Sequence, residues 1–182
     1  LVDEDSGIED LKPQSPYAET KLKEEILVKD YFEKGFVETR TLRLGSICGV
    51  SPGMRFHGAI SKFCYQASIG SPITVWKTAL NQKRPFLHIQ DAINAIIFVV
   101  EKNLFGGGLF NVVTSNFSVN QIINEIKKNI DNVNIELIDS KIMNKYSYDV
   151  SAQKIINQGY SFHNSISSGI EDTLNLFHSL QK

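Results

Sequence analysis

Apolar positions along the chain switch between helical and strand-like spacing. Ala18, Leu22, Ile26, Leu27 and Tyr31 recur at helical spacing between Ser15-Pro16 and the stop at Lys34-Gly35. A serine that can accept from the first turn, followed by a proline whose missing N–H is no loss there, marks a helix start. The pattern predicts a helix from about Pro16 to Lys34. Val37 to Leu44 is rich in β-branched residues and ends at Gly45, with glycines again at 49 and 53. It predicts a strand that runs into a functional loop and lies in a sheet covered by that helix.

His57 to Ile69 reads as a helix closed by Gly70, and Ile73 to Trp76 as a short strand. Gln90 to Lys102 predicts a helix with Ile93, Ile96, Ile97 and Val100 on one face, followed by a buried strand at Leu109 to Val113. Ser118 caps a predicted helix from Val119 to Asn129, Asn134 to Ile138 reads as a strand, and two last helices fit Ser151 to Gln158 and Ile166 to Leu180. The alternation is that of an α/β fold, without internal repeats or a low-complexity linker.

Composition narrows the partners. A chain of 182 residues with 42% hydrophobic content can fill a core, since a domain of about 150 residues buries roughly 70% of its unfolded surface. Nineteen Lys and Arg against twenty Asp and Glu leave a net charge of -1, which provides no broad basic footprint for nucleic acid or an anionic membrane. A small molecule or a protein is the expected partner. The longest apolar run, Ala95 to Val100, is far too short to span a bilayer, and Leu1 to Asp5 lacks the basic start of a secretory signal. Cys48 and Cys64 form no CxxC, and His57, His88, His163 and His178 have no metal-ligand spacing. Reduced thiols in a cytoplasmic protein are expected. The absence of an initiator Met and the acidic, turn-rich opening through Pro16 suggest a fragment.

Tyr17 and Lys21 are four residues apart, hence one turn apart on the same helix face. A phenol with a reference pKa of about 10 is a poor base at neutral pH, but a neighbouring ammonium favours the phenolate and brings it toward the range of a proton-transfer catalyst. The same ammonium can hold a ribose hydroxyl. Tyr and Lys at this spacing also occur by chance on many exposed helices, so the pair acquires weight only from its surroundings.

Those surroundings resemble one family. The stretch Ser15-Pro16-Tyr17-Ala18-Glu19-Thr20-Lys21, with Glu25 four residues on, is similar to the active-site helix of extended short-chain dehydrogenases/reductases. Arg43 to Gly49, Ile73 to Trp76, Arg84 to Ala92, Phe110 to Val112, Gly159 to Phe162 and Ser168 to Thr173 follow in the order found in the NAD-dependent nucleotide-sugar epimerases and dehydratases. The resemblance implies that Tyr17 is the acid/base that exchanges a proton with a sugar hydroxyl during transient hydride transfer, and that Lys21 holds the nicotinamide ribose. Leu44 would face the nicotinamide. Ser46 stands where the family commonly has a substrate-binding Asn, Thr74 and Trp76 lie on the strand that holds the nucleotide base, and Arg84 matches the pyrophosphate-binding arginine, a role that suits a planar multi-donor cation. His88 is expected to be structural and Asp91 to cap or buttress a helix start.

The implied architecture is the distal part of a Rossmann-like doubly wound parallel sheet (about 1-45 and 85-115) interleaved with a small α/β substrate-binding lobe (about 46-84 and 116-182). The implied cofactor is NAD or NADP, the implied partner a nucleotide sugar, and a homodimer would form through the Tyr17 helix. The chain departs from the family in several respects. It has no GxGxxG or GxxGxxG turn for a dinucleotide, and Gly106-Gly107-Gly108 precedes a strand and reads as a flexible turn. Ser6 and Ser15 are too close to Tyr17 to be the family's substrate-orienting Ser or Thr. Met143 to Asp149 carries no Arg where the family often has one. Two other readings stay open: a non-catalytic sugar-nucleotide-binding or protein-interaction module, and a plain scaffold whose helix happens to carry the Tyr–Lys spacing.

Overall fold

The structure is a computed structural model and describes residues 1–6, 13, 15–139 and 147–179. The elements are α1 (Pro16–Glu33), β1 (Thr41–Leu44), β2 (Ser46–Cys48), α2 (Ala59–Ser68), β3 (Ile73–Trp76), β4 (Lys83–His88), α3 (Ile89–Glu101), β5 (Leu109–Val112), β6 (Ser115–Ser118), α4 (Val119–Lys127), β7 (Ile135–Ile138), α5 (Gln153–Ile156) and α6 (Ile166–Ser179). The start of α1 follows the local chemistry: Pro16 opens the helix and the Ser15 hydroxyl accepts from the Ala18 N–H at 3.2 Å. A reciprocal capping box of Ser118 and Gln121 opens α4.

β1 pairs in parallel with β5, and β3 pairs in parallel with β7. β2, β4 and β6 form a third sheet in which β2 and β4 run parallel and β6 is antiparallel. The predicted strand from Val37 is shorter, with ladder pairing only from Thr41. β2, β4 and β6 were not foreseen, because segments such as Lys-Arg-Pro-Phe-Leu-His and Ser-Asn-Phe-Ser have little strand propensity of their own and are strands through their pairing.

At Gly45 the chain leaves β5, where its N–H donates to the Val112 carbonyl at 2.9 Å, and joins β4 as β2. A Cβ there would lie 3.1 Å from the Phe86 backbone, a tight contact that favours glycine at the crossing. Thr114 makes the matching step between β5 and β6, donating its N–H to the Phe86 carbonyl.

Two apolar clusters flank these crossings. One gathers Cys48, Phe63, Cys64, Ile73, Phe86 and residues of α4 and α6. The other joins Leu87, the inner face of α3, Phe110, Val112, Ile155 and Tyr160. Phe86 and Leu87 are neighbours on β4 and enter different clusters, as the two-residue alternation of a strand requires. The clusters meet at Asp91, which is fully buried. Its carboxyl accepts from the Thr114 hydroxyl at 2.8 Å, the Asn164 amide at 2.8 Å and the His163 N–H at 3.2 Å, while the Tyr160 hydroxyl donates to its backbone carbonyl. Asp91 is therefore a buttress, and the cap is His88, whose Nδ1 accepts from the Gln90 N–H.

Two helices expose the faces that their periodicity singled out. In α3 the buried residues are Asp91, Ala92, Ala95 and Val99, and Ile93, Ile96, Ile97 and Val100 are exposed. In α1 no residue is buried, and Ile26, Leu27 and Tyr31 are exposed. The expected cover of the sheet by α1 thus rests on a polar clamp, Arg43 on β1 donating to both Glu25 oxygens at 2.8 and 2.6 Å, and on Phe32 against Gly107. Gly106 to Gly108 forms a close-packed turn around the Arg40 guanidinium, which itself lies 4.4 Å from the Phe110 ring centroid.

Candidate functional site

All but one of the site residues singled out from the sequence fall into two concavities, Ser46 being the exception. The first is a groove of about 580 Å³ between α1 and β1, with Tyr17, Lys21 and Leu44 in its lining. Tyr17 is 72% exposed, so its hydroxyl is open to a ligand. The Lys21 ammonium sits 5.8 Å from the Tyr17 ring centroid, within cation–π range, and donates to Glu24 at 2.7 Å. That hydrogen bond holds Lys21 above its ordinary lysine range, so it is charged at neutral pH. An ammonium has three donors, which leaves two for a ligand. Glu25, the other carboxylate in the groove, is held by Arg43, which the same contact pushes above its ordinary value. Leu44, at the end of β1, adds a half-exposed apolar surface.

The second is a cleft of about 420 Å³ where α2 meets β3 and β4. Thr74, Trp76 and Arg84, which the family resemblance singles out, all line it. Trp76 is 47% exposed, so its ring is available to a ligand and is not part of the core. Arg84 is already engaged: it donates to the Lys83 carbonyl at 2.8 Å and to Gln82 Oε1 at 2.9 Å, and it lies 5.4 Å from the Tyr148 ring centroid. Ser147 and Asp149, on the segment that lacks the family's Arg, bond to Lys83 at 3.0 Å each; residues 143–146 of that segment lie outside the described residues. Ser46 on β2 is exposed and lines neither concavity.

Sequence reasoning missed His57 and Lys62, which line the same cleft. Only the placement of α2 against β3 brings them there, and no motif carried that signal. Among the described residues no three His, Cys, Asp or Glu groups are placed to hold a metal ion, and no helix is long and apolar enough to cross a membrane. Cys48 and Cys64 are free and buried. Burial pushes both thiols up to about 12, helped by the Asp91 charge at Cys48 and by Cys48 itself at Cys64.

Solved structures similar to this chain include nucleotide-sugar enzymes. UDP-glucuronic acid 4-epimerase from Bacillus cereus, in complex with UDP-glucuronic acid and NAD, matches at 26% identity and a TM-score of 0.80 over 94% of this chain and 56% of its own. UDP-glucose 4-epimerase from Thermus thermophilus, complexed with NAD, matches at 19% identity and 0.79 over 92% of this chain and 55% of its own. dTDP-glucose 4,6-dehydratase from Bacillus anthracis, also with NAD, matches at 20% and 0.79 over 93% and 54%. The chain spans about half the length of these proteins. Their likeness supports the Rossmann-like α/β reading of the β1–β5 pair and its neighbours. Residues 2–112, more than half of the chain and including both α1 and the β4–α3 segment, match the model of one family, and the chain belongs to the NAD dependent epimerase/dehydratase family.

Proposed function

We propose that this chain is the distal part of an NAD(P)-dependent epimerase or dehydratase that acts on a nucleotide sugar, with Tyr17 as its acid/base. The observation that carries the reading is the pairing of two different concavities: one with a phenol and an ammonium a helical turn apart, the other with an aromatic and basic lining. The groove's donor set fits the nicotinamide-ribose end of the cofactor. Lys21 offers donors to ribose hydroxyls, and Leu44 offers an apolar face to a planar ring. The nicotinamide, when bound, supplies a reversible hydride acceptor. Tyr17 takes the proton from the sugar hydroxyl that is oxidised and returns it later, and the Lys21 cation stabilises the phenolate between the two events.

In the cleft, Trp76 and Thr74 hold the nucleotide base and Arg84 meets the phosphates. Ser46, exposed at the start of β2, is the substrate-side contact of the sugar. Residues of about 1-45, which hold the groove, together with about 85-115 form the cofactor side, and about 46-84 and 116-182 form the substrate lobe. The exposed Ile26, Leu27 and Tyr31 on α1 suit a homodimer through that helix. Buried free thiols suit a reducing, cytoplasmic setting.

The test is Tyr17→Phe in the full-length protein. Turnover of a nucleotide sugar should fall by about 10²-fold or more, with NAD affinity largely kept, because the lost hydroxyl acts on the substrate. Turnover close to that of the parent protein would remove Tyr17 as the base.

A further inference from the structure

The cleft's charge is of one sign. Its titratable lining groups are His57, Lys62 and Arg84, all basic, and among the described residues no Asp or Glu lines it. Arg84 spends donors on Gln82 and on the Lys83 carbonyl and rests near Tyr148, so its guanidinium is fixed by the protein before any ligand arrives. Lys62 is in the opposite condition. It lies in the second turn of α2, is half-buried, and among the described residues its ammonium has neither a hydrogen bond nor an ion pair. A half-buried cation without a partner in an acid-free cleft is a place for an anion. The start of α2 adds to the same field: Gly58 provides no side-chain cap, and Ala59, the first helical residue, lines the cleft.

We infer that Lys62 is a diphosphate-binding residue of this cleft, the mobile cation that completes the contact Arg84 begins. The inference rests on the reading of the cleft as a nucleotide-sugar site. The ligand it specifies carries a negative charge on each of two linked phosphates and an aromatic base at one end. Arg84, held in place, sets the position of one phosphate, and Lys62, with three rotatable donors on a flexible stem, adapts to the other. Phe63 and Val75, beside Lys62 and Trp76, keep the base end of the cleft apolar.

Calorimetric titration of the full-length protein with UDP, dTDP, UMP and uridine tests this, using Lys62→Met and Lys62→Arg. In Lys62→Met the affinity for the better-bound diphosphate should fall about tenfold or more, about 1.4 kcal/mol. UMP should lose less, and uridine should be unaffected, which also shows that the cleft is still folded. Lys62→Arg should recover most of the loss, since it returns the charge. Diphosphate affinity in Lys62→Met within about twofold of the parent would overturn the role of Lys62 and leave the nucleotide-sugar reading standing. A parent protein that binds NAD but neither diphosphate would overturn the reading of the cleft, and this inference with it.

Discussion

At the scale of single residues, the positions that matter most are those where one atom decides between packing and collision. Gly107 has φ +66°, and a Cβ there would overlap the Phe32 ring of α1. Gly107→Ala therefore combines a left-handed backbone, which costs about 1–2 kcal/mol in a residue with a Cβ, with displacement of Phe32. We expect a total loss of about 2–3 kcal/mol in chemical denaturation. In the Phe32→Ala background the same change should cost only the backbone part, and equal costs in the two backgrounds would mean that Phe32 gives way freely. The sequence offered a glycine triplet and a flexible turn; that it wraps Arg40 and receives Phe32 depends on side chains far away in the chain, which no local pattern encodes. Tyr17 and Lys21 stand out in the sequence because a motif of fixed spacing carries them, and Arg84 because its segment resembles the family's. Lys62 does not, because a lysine on an amphipathic helix looks the same whether it faces water or a ligand.

At the scale of elements, local signals located the helices and left the strands partly hidden. Ser15-Pro16 and Ser118 with Gln121 specify their helix starts through hydrogen bonds within a single turn. β6 has no such internal signal: Ser115 to Ser118 is a strand because Lys83 to Phe86 pairs with it, and Asn116 fixes the neighbouring chain through bonds to the Val150 N–H and carbonyl at 2.9 and 3.0 Å. α1 shows the other side of the same rule. Its helix is specified locally, but with no buried residue its attachment depends on the Glu25–Arg43 clamp and on Phe32 against Gly107. Glu25→Gln removes one charge of a partly buried bidentate pair, and hydrogen bonds to charged groups contribute about 1.5–3 kcal/mol each. Amide exchange along α1 should accelerate by about tenfold or more, while β4 and β5 keep their protection; unchanged exchange in α1 would mean that Phe32 and Gly107 suffice to hold the helix.

At the scale of the whole molecule, stability should fall on the alkaline side. Cys48, Cys64 and Tyr160 are pushed up to about 12 from ordinary values of 9.0, 9.0 and 10.0, mainly by burial, with the charge of Asp91 adding to the shift at Cys48 and Tyr160. A raised acid pKa means that the unfolded chain releases these protons first. The stability that the neutral forms contribute is complete below about pH 9 and is lost as pH rises from there toward 12, at about 1.4 kcal/mol per pH unit for each titrating group. Tm should be nearly flat from about pH 7 to 8.5 and then fall, and Cys48→Ala with Cys64→Ala should make the fall shallower, after allowance for the cavity left behind. An equal slope with and without the thiols would assign the alkaline loss to other groups.

The two apolar clusters alternate along the chain. Cys48 to Phe86 enters the first, Leu87 to Val113 the second, Ile122 to Ile126 the first again, Ala152 to Tyr160 the second, and Ile166 to Phe177 the first. A relative's ligand preference therefore cannot be transplanted as one cassette. A chimera with new specificity needs three separate grafts joined at Phe86–Leu87, Val113–Ile122 and the two ends of Ala152–Tyr160, and every graft must retain Asp91's partners Thr114, His163 and Asn164. Recombination with crossovers elsewhere would leave half of one cluster facing half of another.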